Sequence, residues 1–527
     1  MILTVPLGKA LRLYPHKRAI VCGDASWTYR EFGERVNRLS QALLSLGVGK
    51  GDRVAVLHRN CHRYLECYFA VMQIGAVLVP MNYRLTPMSW LSTIEDAGAK
   101  LIIVESSFRE QLDSIRDSLG ESCRVVWSPG ELNSGLGQGY LGYEALLSEA
   151  TPLPPPAVAI GAEDMVQIYY TSGTTGQGKG VVLTHRNACI HALGTMAEFK
   201  IDDRDVWLHA APMFHLADAW AVWSITWVGG VHVVVPEFGE QIVLEAMERE
   251  RVTLTDLIPT MLTALVNFPE VGEYNHSGLR LLLSGGSPIA ETLVQSTMET
   301  FDCDFVQGYG LTETSPYVAV SVLKDNLRGL STREQVRYRA SMGREYITAE
   351  LRVVDDHGRD VRPDGQQVGE IIIRGEGVMK EYWRLPELTQ MAFKDGWLYS
   401  GDMAMIDKEG YLTFVDRKRD VISTGGKKVH SAQVENVLYS HPAVLEAAVI
   451  GVPDEEFGQA VKAVVALKEG HEATEEETIQ FCRERMARFR VPKSVDFVPS
   501  LPKTGSAKIA KVLLKEEYWK GADKGVH

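Results

Sequence analysis

Apolar and polar positions along the first hundred residues switch between two periods. "RVAVLH" (53–58), "VLVPMN" (77–82) and "KLIIVE" (100–105) are short apolar runs rich in β-branched residues, as in strands buried on both faces. Between them, "CHRYLECYFAVMQIGA" (61–76) and "PMSWLSTIEDAGA" (87–99) repeat their apolar residues every three to four positions, which predicts helices. This β-α-β-α-β order predicts a parallel sheet with helices on its faces. "ATPLPPPAVAIGAEDM" (150–165) is rich in Pro and reads as an exposed connection. A second alternating region follows, with strands over 230–238, 252–259 and 279–286 and helices over 240–250 and 260–267. From about residue 344 the helical period disappears. "AELRVVDDHGRDVRPDGQQVGEIIIRG" (349–375) predicts short strands and tight turns, a small β subdomain. Strand patterns flank a charged cluster at 416–420, and the remaining chain alternates again, with a helix over 474–488. That last stretch is long enough for a small α+β domain.

Composition narrows the function classes. The chain has 527 residues, 45% apolar and 23% charged, which fits a soluble globular protein of roughly two to four domains. A net charge of −13 argues against nucleic acid as partner but leaves room for a local basic pocket for phosphates. The seven cysteines are scattered and show no C-x-x-C pairing, so a reducing compartment is expected, with neither a disulfide framework nor a zinc site. The N-terminus lacks the long apolar core of a signal peptide, and no run reaches the ~18 apolar residues of a membrane span. The expectation is a cytoplasmic protein without a membrane span. Peripheral membrane association stays open, and a homodimer is the default.

Residues 169–185, "YYTSGTTGQGKGVVLTH", contain G-x-x-x-x-G-K, a P-loop signature without its final Ser or Thr. The β-branched run after Lys179 predicts a strand where a P-loop NTPase has a helix. Glycines for close backbone approach, hydroxyls on Thr171, Ser172, Thr174 and Thr175, and the charge of Lys179 still make a polyphosphate loop. Four further segments carry candidate chemistry. They are "LLSGGSPI" (282–289), "QGYGLTET" (307–314), "LYSGDMA" (398–404) and "LPKTGSAKIAK" (501–511). A charged, glycine-containing segment, "DRKRDVISTGGKKVHSAQVE" (416–435), lies between the last two.

Together, in this order, these segments resemble the adenylate-forming superfamily of acyl-CoA synthetases, firefly-type luciferases and peptide-synthetase adenylation domains. The resemblance covers nearly the whole chain. It implies an α/β fold with a large domain over 1–418, made of two doubly wound α/β subdomains and a small β-barrel-like subdomain. A small mobile α+β domain over 419–527 follows, hinged near 417–420 at Arg419. It also implies roles. Thr171, Ser172, Gly173, Thr174, Thr175 and Lys179 hold the ATP phosphates; Gly285, Gly286, Gly308, Tyr309 and Gly310 hold adenine. Thr312 contacts the α-phosphate, Glu313 holds Mg²⁺, and Asp402 and Arg417 reach the ribose. Gly425 and Gly426 belong to a loop that swings in for the thiol step, and Lys508 is the catalytic lysine. The sequence departs from the family pattern at Gly178, where proline is usual, at Arg419, where Asp or Lys is usual, and at Ala507, where glycine is usual.

The acid is less legible. "APMFHLADAWAVWSITW" (211–227) resembles the family's acid-binding segment, with His215 near the acid. Trp220, Trp223 and Trp227 fall on one helical face, a spacing that fits both core packing and an apolar pocket. Segment 321–343 resembles an insertion of fatty-acyl-CoA synthetases. The expected activity is an ATP- and Mg²⁺-dependent acid–CoA ligase for an apolar carboxylic acid, a medium- or long-chain fatty acid first, with CoA as co-substrate. Aryl acids, a non-CoA acceptor, and a nucleotide-binding protein without catalysis are the alternatives.

Overall fold

The computed structural model describes residues 1–120, 123–129, 141–171, 178–503 and 509–520. The chain forms two compact units, one of residues 1–351, 373–398 and 409–412, the other of 352–372, 399–408 and 413–527.

The first unit holds two large sheets. In the eight-stranded one, strands Val77–Pro80, Arg53–Leu57, Ala99–Glu105 and Arg124–Ser128 lie side by side and parallel. Val54 to Leu57 are fully buried, as expected for a strand covered by helices on both faces. Beside Val77–Pro80 comes an antiparallel hairpin, Met165–Thr171 with Lys179–Thr184, and beyond it the short edge strand Glu381–Tyr382. The nine-stranded sheet contains the expected strands at Val231–Val234, Leu254–Asp256 and Leu281–Ser284, continued by Asp304–Gly310 and Tyr317–Val320. Its far edge is made by Arg18–Cys22 and Ala25–Thr28, which the hydrophobic pattern leaves unmarked.

Helices follow their local signals. Glu240–Glu250 and Pro259–Val266 form where the apolar period places them. Pro87–Ala97 starts behind a Thr86 cap with Pro at its first position and stops at Gly98, φ 60°. Leu216–Val228, apolar apart from Asp218, Ser224 and Thr226, is buried around nearly its whole circumference. It ends at Gly229, φ 78°, where a Cβ would stand 2.2 Å from the Tyr14 ring.

Short strands at Ala349–Val354, Gly369–Gly375 and Trp397–Ile406 bear out the β texture expected after residue 344. The second unit is built on the hairpin Val444–Asp454 and Gly458–Leu467, with Ser494–Phe497 added in parallel. Its core gathers Val434, Leu438, Val449, Val461, Val465 and Cys482. The helix expected over 474–488 spans only Glu475–Arg483: Thr474 and Glu477 cap its start reciprocally, and a short turn at Arg488–Arg490, ahead of Pro492, replaces its last part. Among the described residues no helix is long and apolar enough to cross a membrane.

Candidate active site

The hairpin decides how the glycine-rich segment is anchored. Thr171 pairs with Lys179 and Tyr170 with Gly180, so the loop closes between two antiparallel strands. A strand continues from Lys179 to Thr184, which excludes the strand–loop–helix arrangement of a P-loop NTPase. Gly180 is there for packing. A Cβ on it would stand 2.8 Å from Ile168 and 3.1 Å from Trp383, whose backbone N–H donates to Gly180 O at 2.7 Å. A hydroxyl-bearing residue after the lysine would meet that wall. Gly178 is exposed. Ser172, Gly173, Thr174 and Thr175 lie outside the described residues, and so does Lys508.

Lys179 and Glu313 meet at a residue that no motif announced. Tyr382 donates its hydroxyl to Glu313 Oε1 at 2.8 Å, and Lys179 Nζ lies 5.1 Å from the centre of the Tyr382 ring. The backbone of Glu313 is held as well, its carbonyl accepting from Met379 N at 2.7 Å. Tyr382 reaches this place because Glu381–Tyr382 pairs antiparallel with Lys179–Thr184. Its hydroxyl is held well above the usual phenol range by burial and the Glu313 carboxylate, so it stays a donor. Among the described residues no three His, Cys, Asp or Glu side chains form a metal cage. One carboxylate that keeps lone pairs free suits Mg²⁺, which takes few protein ligands when phosphates supply the rest.

The glycine segments are dictated by close approach. Strand Leu281–Ser284 runs into Gly285, where a Cβ would stand 3.2 Å from Gly308 O, and Gly286 follows at φ 79°. At Gly308 a Cβ would meet Tyr317 at 2.3 Å, and at Gly310 it would meet Pro316 O at 1.8 Å. Tyr309 is half-exposed between them, and Thr312 and Glu313 sit on the short turn that follows. The Tyr317 ring thus supports the backbone of Gly308 from behind. Its hydroxyl donates to Asp256 Oδ2. Burial pushes the Asp256 carboxyl up to about 7, against the hydrogen bond from Tyr317.

His215 stands half-buried at the start of helix Leu216–Val228, its ring 4.4 Å from that of Phe214. The preceding loop is bolted from the other sheet's side. Asn60 Nδ2 donates to Ala211 O at 2.8 Å and Asn60 Oδ1 accepts from Met213 N at 2.8 Å, while the Tyr68 hydroxyl donates to Met213 O at 2.6 Å. Trp220 packs edge-on against Trp207 at 4.8 Å and Tyr317 at 5.8 Å; Trp223 packs against Tyr68 and Phe69 at 5.4 and 5.3 Å. Both are embedded in aromatic packing, and Trp227 is buried too.

The second unit carries the remaining candidates. Asp402 is buried, with Arg417 Nε 3.8 Å from its Oδ1. Arg419 is half-exposed, and burial together with the like charge of Arg417 holds its guanidinium below the usual value. Its carbonyl accepts from Lys515 Nζ at 2.9 Å, and the same ammonium pairs with Asp420 at 3.0 Å. Gly425 and Gly426, φ 53° and 74°, form the turn of the ribbon Ile422–Thr424 and Lys427–Val429, a type I′ geometry that demands positive φ twice.

Comparison with known proteins agrees with this geometry. The AMP-binding enzyme family model matches residues 7–383, and the model of the AMP-binding enzyme C-terminal domain matches 433–508. The chain is 38% identical to a feruloyl-CoA synthase of an Amycolatopsis species, covering 96% of this chain and 97% of the relative. It is 33% identical to 4-hydroxybutyrate–CoA ligase 2 of Metallosphaera sedula, over 98% and 94%. It is 34% identical to a long-chain-fatty-acid–CoA ligase of Mycobacterium tuberculosis, over 94% of each. The solved structure of o-succinylbenzoate CoA synthetase from Bacillus subtilis with ATP and magnesium superposes with a TM-score of 0.83 at 27% identity, covering 98% of this chain and 99% of the other. The protein therefore belongs to the AMP-binding, adenylate-forming enzyme family, and within it to the acyl-CoA synthetases, ligases that form carbon–sulfur bonds.

Proposed function

We propose that the chain converts a compact apolar carboxylic acid, ATP and CoA into acyl-CoA, AMP and pyrophosphate. The convergence of Lys179, Tyr382 and Glu313 supports this reading, because a cation and a carboxylate suited to Mg²⁺ lie around one tyrosine, the combination that neutralising a triphosphate calls for. In the first step a carboxylate oxygen attacks the α-phosphorus of ATP; the bond to the β-phosphate oxygen breaks and pyrophosphate leaves. Lys179 offsets phosphate charge, and the resemblance adds Thr312 and Lys508 to that task. Glu313, oriented by Tyr382, would hold Mg²⁺, which supplies charge neutralisation on the phosphates. In the second step the CoA thiolate attacks the acyl carbon and AMP leaves as a stable anion. Asp402 and Arg417 are assigned to the ribose, and Gly425 and Gly426 to the thiol route.

A compact acid, aryl or short-chain, is favoured over the long fatty chain expected from segment 321–343. Trp220 and Trp223 fill the interior behind His215 with ring-on-ring contacts. Segment 321–343 supplies helix Thr332–Ala340, whose Arg339 donates to Phe305 O at 2.8 Å, a packing role. A pyrophosphate-release screen over acids of graded chain length and aryl type, with and without CoA, tests the proposal. Short and aryl acids are expected to turn over fastest, with CoA-dependent thioester. No thioester from any acid would refute the ligase reading, and a clear preference for long chains would refute the compact pocket.

A further inference from the structure

Helix His185–Glu198 starts directly after the strand that Lys179 opens, and its cap is built on an amide. Thr184 Oγ1 accepts from Asn187 N at 3.2 Å, while Asn187 Oδ1 accepts from Thr184 N at 2.8 Å and from Thr184 Oγ1 at 2.9 Å. Glu or Gln usually fills this third position of a reciprocal cap, and a carboxylate there also suits the positive end of a helix. An acidic side chain would fail here for a reason outside the helix. Asn187 Nδ2 donates to Glu376 O at 2.7 Å and to Val378 O at 2.8 Å. Asn187 is 6% exposed, and its amide fills two acceptor and two donor positions at once. Arg186 also pairs with Glu376, at 3.2 Å, but both side chains are exposed, where such pairs contribute little.

The two carbonyls belong to the segment that meets Glu313. Directly after Val378, Met379 N donates to Glu313 O, and further on the Tyr382 hydroxyl donates to Glu313 Oε1. Between those contacts Lys380 N donates to Val182 O at 3.0 Å, which keeps the segment alongside the strand. Ser315 Oγ donates to Gly377 O at 2.7 Å, from the end of the turn that carries Glu313. One helical turn beyond Asn187, His191 Nε2 accepts from Tyr317 N at 3.1 Å. Burial pushes the His191 imidazole down to about 3, so the ring is neutral and able to accept. One helix thus grips the chain on both sides of that turn, Tyr317 after it and residues 376–378 beside it. A small cavity, with room for about one water molecule, is lined by His191, Thr314, Tyr317, Gly375, Gly377 and Val378, so hydrogen bonds rather than close packing set the spacing here.

We propose that Asn187 is a positioning residue for adenylation: its amide fixes residues 376–378 and, through Met379 and Tyr382, the place of the Glu313 carboxylate. This rests on the reading above in which Glu313 holds Mg²⁺. The phosphate strand and the metal carboxylate then share one anchor, because Thr184 ends the strand that Lys179 begins. A carboxylate in place of the amide would keep the cap but turn an oxygen without a hydrogen towards two carbonyls, leaving them unpaired and the segment pushed away. Mg²⁺ demands near-ideal octahedral geometry, so it answers to a small displacement of its ligand.

Asn187→Asp separates the two halves of the amide's work, since it keeps the acceptor for Thr184 and loses both donors. Mg²⁺ titrations of pyrophosphate release, at saturating ATP and with the best acid from the screen above, compare wild type, Asn187→Asp, Tyr382→Phe and the double variant. Asn187→Asp is expected to raise the Mg²⁺ midpoint by about tenfold while the KM for the acid stays within about twofold of wild type. In the double variant the rise should be smaller than the product of the single rises, because both changes act on one carboxylate. Thr184→Ala weakens the same cap without touching residues 376–378 and should leave the midpoint in place. Asn187→Ala, which buries no charge, covers the case in which the aspartate variant does not fold. A midpoint unmoved by the Asn187 variants while Tyr382→Phe raises it, single rises that multiply in full, or an equal rise in Thr184→Ala overturns the inference. A midpoint moved by neither Asn187→Asp nor Tyr382→Phe overturns Glu313 as the holder of the metal, and absence of thioester from every acid overturns the ligase reading.

Discussion

Tyr382 and Asp256 are each held by one close hydrogen-bond partner, Glu313 and Tyr317. The Tyr382 hydroxyl donates to one carboxylate oxygen of Glu313, the residue proposed to hold Mg²⁺. Partners of this kind change metal affinity or activity by about 10- to 100-fold when removed. Tyr382→Phe is therefore expected to raise the Mg²⁺ concentration for half-maximal pyrophosphate release by about tenfold, read in a Mg²⁺ titration at saturating ATP. An unchanged midpoint would deny Glu313 the metal. Asp256 makes a prediction about pH. Its folded value near 7 lies above the ordinary 3.8, so the folded protein binds more protons than the unfolded chain between those values. The group's contribution to stability is fully present below about pH 4 and lost as pH rises towards 7. Asp256→Asn cannot ionise, so its melting temperature relative to wild type should rise between pH 5 and pH 8 in calorimetry. A difference that does not move with pH would contradict the raised carboxyl. Neither residue was legible in the chain. Tyr382 reaches Glu313 through a two-residue edge strand and Asp256 reaches Tyr317 across 61 positions, distances over which no spacing rule operates.

At the scale of elements, the loop before helix Leu216–Val228 is held by a residue from the other sheet's neighbourhood. Asn60 replaces two hydrogen bonds that the Ala211–Met213 backbone would otherwise make with water, and its amide also donates to His209 O. Asn60→Ala should let that loop shift, and a displacement of about 1 Å at a positioning loop can cost on the order of 100-fold. The expected result is a KM for the acid raised about tenfold or more, with the KM for ATP nearly unchanged. Asn60→Asp keeps the acceptor for Met213 N and should fall between. Equal rises in both KM values would mean a general defect in folding. Helices were the most legible elements: Glu240–Glu250 and Pro87–Ala97 carry their apolar period and end signals in a single stretch. Strands Arg18–Cys22 and Ala25–Thr28 were not, because four or five residues make a weak pattern and the first pairs with Val231–Val234 more than 200 residues away.

For the whole molecule, a change of texture along the chain pointed to more than one compact unit, and the order of motifs along the chain marked the family. The exact partition was less visible, since residues 352–372 and 399–408 cluster with the C-terminal stretch. Lys508 falls outside the described residues, and its role rests on the resemblance. Lys508→Ala is expected to lower adenylation by at least about 100-fold, measured as pyrophosphate release, while thioester formation from supplied acyl-adenylate persists. Equal loss in both half-reactions would sink that role. The hairpin pair Thr171–Lys179 has a wider consequence. The two strands that flank the phosphate loop are locked into an eight-stranded sheet, so the separation of the loop's ends is set by the sheet and not by the loop. The anchors Thr171 and Lys179, and not the segment between them, therefore decide where that segment begins and ends. A counterpart segment from a relative is expected to graft at these two anchor points without renegotiating the architecture that presents it.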